Sequence, residues 1–157
     1  MKTPILAAAL VAMLASTSFA HDTWIMCTPP VIKSGAAVSM HVTSGMAFPA
    51  LDAAPEPARI QKCEWRIGGR QGTLSEFTKE EKSLVVSGRV TTDGVAVIYA
   101  EFEPKEIDLT PEEVDEYMDE IGAPESVRRA WKESGDDTFH ETYTKHARTY
   151  LRVGDGG

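Results

Sequence analysis

The chain has 157 residues, 42% of them hydrophobic, and a net charge of −8. That length is enough to bury a full core in one domain without a metal staple, and the acidity argues against nucleic acid as a partner. Two cysteines are too few for a disulfide-dense scaffold.

In chain order, residues 1–20 read as an export signal. Lys2 supplies the positive end, "PILAAALVAMLA" the apolar run, and Ser18-Phe19-Ala20 a small-x-small cleavage site. The apolar run is too short for a membrane span and no stop-transfer pattern follows it, so the mature protein is expected in the periplasm, not itself spanning the membrane. Cleavage after Ala20 removes one basic residue, Lys2, and no acidic one. It also leaves His21 as the first residue, with a free α-amine beside its imidazole.

"AAVSMHVT" (36–43) alternates Ala36, Val38, Met40 and Val42 with Ala37, Ser39, His41 and Thr43, a strand with His41 on its polar side. Residues 47–59 carry three prolines and read as a long loop. "IQKCEWRI" (60–67) sets Cys63, Trp65 and Ile67 against Lys62, Glu64 and Arg66. The runs "SLVVSGRV" and "VAVIYAEF" flank Asp93-Gly94, the dipeptide that favours a two-residue hairpin turn, so a hairpin is expected there.

Between Glu101 and Glu125 stand eleven acidic residues against the single Lys105. The pattern is helical. Thr110-Pro111-Glu112-Glu113 reads as a capping box with proline at the first helical position, and Val114, Tyr117, Met118 and Ile121 follow at helical spacing. Gly122 ends this helix. A second is expected from Pro124 to about Glu133, with Val127, Ala130 and Trp131 inward, so the insert spans about residues 110–134. "HARTYLRV" (146–153) closes the series as a strand with one solvated face. The sum is a mainly β fold, a single antiparallel β-sandwich-like domain of immunoglobulin or prealbumin type over residues 21–157, interrupted by the two-helix insert.

No GxSxG, GxxxxGK[ST], GxGxxG or HExxH motif occurs, so a noncatalytic role is expected. Cys27 and Cys63, an even pair in an exported chain without CxxC spacing, are expected to form a disulfide. An amino-terminal histidine chelates through its α-amine and Nδ1, a nitrogen set suited to copper(II) or nickel(II). His21 is therefore the primary candidate ligand, His41 the second, and Met46 a soft thioether beside Gly45 and Phe48-Pro49. Met40, on the apolar face, reads as core filler. His140 and His146 share a face only if one strand holds both.

The stretches "AHDTWI", "SGMAFP" and "ETYTKHARTYLRVG" resemble the NikM-like family of periplasmic domains of unknown function, often labelled a periplasmic component of cobalt or nickel transport. The resemblance implies a β-rich periplasmic fold, a role in cobalt or nickel uptake with a metal transporter of ABC or ECF type as partner, and makes His21 and Asp22 family features, while the ligand chemistry adds copper as a third cargo. Family chains generally continue past the "VG" for a further stretch of roughly domain size, so this chain reads as a short or truncated member. The expectation is a transition-metal-binding protein of uptake or homeostasis. The alternative is a noncatalytic envelope module that binds a protein or glycan through the acidic helix or Trp24, and an amino-terminal copper brace for oxygen chemistry comes third.

Overall fold

The period-two segments become strands and the capped segment becomes a helix, for the reasons their side chains dictate. The computed structural model describes residues 22–154. The leader expected at 1–20, His21, and the chain end on which the truncation reading rests all lie outside them.

One sheet contains β1 (Asp22–Cys27), β3 (Ala37–Gly45), β7 (Leu84–Arg89) and β6 (Glu76–Lys79), in that order. The other contains β2 (Val31–Ile32), β11 (His146–Val153), β8 (Gly94–Phe102), β4 (Ile60–Ile67) and β5 (Arg70–Thr73). Every pairing is antiparallel except the short β2–β11 contact. The two inner faces share one apolar cluster. Val38, Met40, Val42, Leu84 and Val86 enter from the first sheet, and Cys63, Trp65, Ala96, Ile98, Ala100 and Leu151 from the second. Each fully buried Val, Leu or Ile contributes about 1.5–3 kcal/mol relative to exposure, so this cluster dominates the fold. Met40 is fully buried within it.

Between β8 and β11 the chain leaves the sandwich. β9 (Lys105–Leu109) and β10 (Phe139–Tyr143) pair as a two-stranded ribbon, and α1 (Pro111–Glu120) and α2 (Glu125–Ser134) lie between them. Leu109, Val114, Tyr117 and Met118 make a second, smaller core with Trp131 and Phe139. The Glu113 carboxylate accepts hydrogen bonds from the Thr110 N–H at 2.9 Å and from the Thr110 hydroxyl at 3.1 Å. α2 differs from its expectation. Val127 is 41% exposed, Ala130 is exposed, and Trp131 is only half-buried. Arg128 does the docking instead, donating to the carbonyls of Met118 and Ala123 and to Asp119. It thereby adds a donor to the Met118 carbonyl in the last turn of α1, which also accepts from the Ala123 N–H at 2.8 Å, and caps the Ala123 carbonyl in the turn that follows.

The Asp93-Gly94 hairpin does not form. β7 is flanked by β3 and β6, and β8 by β11 and β4, so neither strand has an edge left for the other. Residues 90–93 cross from one sheet to the other, and Gly94, at φ 129°, opens β8 opposite Val153. A two-residue type I′ turn needs positive φ at Asp93 as well, and among the described residues only glycines have it; pairing is decided by which edges the core leaves open.

Candidate functional site at the end of β1

β1 begins where the described chain begins. Asp22 pairs with Gly45 and Thr23 with Ser44, and the Thr23 and Ser44 hydroxyls share a hydrogen bond of 2.7 Å. The residue after His21 therefore faces the residue before Met46. Met46 is 65% exposed and Phe48 73%, an apolar lip at this end of the sheet.

The loop after Met46 folds back over the outer face. Thr43, fully buried, holds it with one hydroxyl, which accepts from the Asp52 N–H at 3.1 Å and lies 2.8 Å from the Lys82 carbonyl and 3.2 Å from that of Ala53. Ser44 and Ala53 exchange backbone hydrogen bonds. Trp24 lies under this cover, edge-on to Phe48 with ring centroids 5.8 Å apart. It is 9% exposed, so it is not the surface contact that the interaction-module reading assigned to it. Its indole N–H has no acceptor among the described residues. Gly45 is needed here, because a Cβ on it would stand 2.8 Å from the Asp52 Cβ and 3.2 Å from the Trp24 ring. That close approach brings the Asp52 carboxylate to the β1 end.

His41 is elsewhere. It pairs with Met26, four residues along β1 from Asp22 and so roughly 14 Å away. Its Nδ1 lies 2.9 Å from the Ser83 hydroxyl and 3.9 Å from Glu80. The strand thus carries His41 away from Asp22 and from Gly45, the residue before Met46, and His21, its expected partner, lies outside the described residues. His140 and His146 also part company. His140 sits 2.6 Å from Asp108 across the β9–β10 ribbon, while His146 stacks on Tyr99 in the five-stranded sheet and is hydrogen-bonded to its hydroxyl at 2.7 Å. Among the described residues no three His, Cys, Asp or Glu side chains gather into a preformed cation site.

The expected disulfide is absent from this structure. Cys27 and Cys63 are free thiols that approach one core from opposite sheets. Burial pushes both thiols up to about 11, with the nearby Glu64 adding to the effect at Cys63.

The fold and its open strand end define a β-sandwich with a helical excursion, mainly β and largely antiparallel. No helix among the described residues is long and apolar enough to cross a membrane. Comparison with family models, curated proteins and solved structures finds no match to this chain.

Proposed function

We propose that the protein is an exported transition-metal-binding component of uptake or homeostasis, with its site at the amino-terminal end of β1. The observation that carries this reading is the register of Asp22 on Gly45, which sets the first described residue of β1 opposite the residue that precedes the exposed Met46 thioether. An α-amine and imidazole from His21, with one soft sulfur and the carboxylates of Asp22 and Asp52, suit copper better than cobalt or nickel. His41 is left out of the ligand set. The role agrees with the one implied by the family resemblance.

Titration of copper into four periplasm-purified proteins tests it: correctly processed, extended by one residue ahead of His21, Met46→Leu and His41→Ala. The extension removes the α-amine ligand and lowers affinity by at least about tenfold, roughly the loss of one good ligand. Met46→Leu weakens copper(I), and His41→Ala changes nothing. Because amine and imidazole must both be deprotonated, binding falls as pH drops below about 6. Equal affinity in the processed and extended proteins retires the proposal.

A second reading, a noncatalytic envelope module that binds a protein, is favoured by a different surface. On the outer face of the five-stranded sheet Val31, Val95 and Tyr150 are 52%, 54% and 60% exposed, and register sets them among Arg66, Arg148 and Arg152. Tyrosine and arginine over apolar residues is the composition of interface hot spots. A photo-crosslinker at position 150 is expected to give one discrete adduct that Arg148→Glu abolishes. A smear or no adduct counts against this reading.

A further inference from the structure

The outer face of the five-stranded sheet carries more cations than its own acids offset. By register Val31, Arg152 and Val95 lie in one row, Tyr150, Val97 and Arg66 in the next, and Arg148, Tyr99 and Glu64 in the third. Glu64 is engaged by Lys62 and Arg66. Glu101, the other acid of this face, stands opposite Lys62 in register and accepts from the Tyr99 hydroxyl at 3.3 Å. Arg148 and Arg152 are exposed on either side of Tyr150, and neither forms an ion pair or a side-chain hydrogen bond with a described residue.

The helical insert of the same chain presents the opposite charge. On α1, Glu112, Asp115, Glu116 and Asp119 recur at i, i+3, i+4 and i+7, one exposed stripe facing away from the buried Val114, Tyr117 and Met118. Asp119 is bonded to Arg128. Glu112, Asp115 and Glu116 have no cationic partner among the described residues, and carboxylates at these spacings repel one another along a helix. A cationic surface laid on the stripe relieves that repulsion. At 1.5 Å per residue the stripe is roughly 10 Å long, and Arg148 and Arg152 are separated along β11 by roughly 13 Å. Flexible arginine side chains span the difference.

We propose that this sheet face docks on α1 of a second copy of the chain, giving a two-fold pair in which the arginines of each copy meet the carboxylates of the other's helix. The assignment rests on the reading of this face as a protein-binding surface and names its partner. Under a two-fold axis both contacts form together, which closes the pair. Arg148 and Arg152 each offer a planar fork to a carboxylate, and Tyr150 and Val95 supply the apolar centre between them. The net charge of −8 opposes association only weakly. Charges farther apart than about 8 Å are screened at physiological salt, whereas the facing arginines and carboxylates fall within that range.

Sedimentation velocity of the purified exported protein and of two charge-reversed variants tests the proposal: Arg148→Glu with Arg152→Glu on the sheet, and Asp115→Lys with Glu116→Lys on the helix. The unsubstituted protein should be dimeric at about 100 μM, where micromolar association is nearly complete. Each variant alone should associate at least about tenfold more weakly, because like charges then face each other. Mixed in equal amounts, the two variants should form a heterodimer. Acidic helix then meets arginine face at one contact and basic helix meets acidic face at the other, and this recovery excludes misfolding as the cause of the loss. All four substituted residues are exposed and belong to neither core. A protein that stays monomeric at about 100 μM overturns the proposal, as does a dimer that either reversal leaves intact or a mixture that fails to associate. The crosslinker at position 150 separates this assignment from the reading it rests on. A self-adduct supports the pair, an adduct to a different envelope protein from a monomeric chain overturns the pair and leaves the module reading standing, and no adduct overturns both.

Discussion

Single side chains decide how the β1 end is built. One hydroxyl, that of Thr43, satisfies polar backbone groups from two loops while fully buried. Thr43→Val keeps the shape and strips the partner from the Asp52 N–H, so stability should fall by about 1–3 kcal/mol. Limited proteolysis should then cut within 47–55 first, whereas an unchanged urea midpoint would show that the loop does not depend on this contact. The cysteines give a second prediction. Their thiols are held at about 11 against an ordinary 9.0, and a group raised in the folded state stabilises it below its unfolded value and loses that contribution as pH rises through the folded one. Under reductant, stability should therefore decline between pH 9 and 11, and Cys63→Ala should flatten the decline. The Tyr117 phenol, raised by burial and by a hydrogen bond to Glu141, contributes the same sign and remains in that variant. Without reductant, alkylation in denaturant should modify both cysteines, and failure of either to react would restore the expected disulfide.

At the level of elements, the helical insert is a unit with its own core, joined to the sandwich through β9 and β10. α1 is amphipathic, burying Val114, Tyr117 and Met118 with carboxylates on the other face, whereas Ile121, expected with the apolar set, stands at the helix end and is 44% exposed. α2 has no fully buried residue, and its attachment rests on Trp131 and on the three contacts of Arg128. Arg128→Met should release α2, because it leaves the Met118 and Ala123 carbonyls without that donor. Hydrogen exchange should speed up across 111–134 and remain slow in β4, β8 and β11, as expected for a locally unfolding unit. Uniform acceleration across the chain would mean that insert and sandwich unfold together.

Across the whole molecule charge is sorted by region. Acidic residues crowd the insert, while arginines gather on the outer face of the five-stranded sheet. Glu64 shows how far alternation could be read. Alternation sets it on one face with Lys62 and Arg66, opposite Cys63 and Trp65, yet it is 5% exposed. Tyr99 and Thr73 flank it across the sheet, and Lys62 and Arg66 form ion pairs with it. Period two assigns a face, and only the neighbouring strands determine whether water reaches it.

The same boundary divides what was legible from what was not. Local chemistry determined the strands at 37–45, 60–67 and 146–153, the core positions of Met40, Cys63 and Trp65, and the helix starting at Pro111, because φ/ψ preference, period and capping act over a few residues. The sandwich with its two-helix insert followed from their order. Which strands pair, whether Asp93-Gly94 turns back or crosses over, how far His41 lies from Asp22, and the gathering of Arg66, Arg148 and Arg152 on one sheet face were decided by tertiary structure. Those relations depend on long-range strand register, and no short stretch of sequence carries the information that sets it.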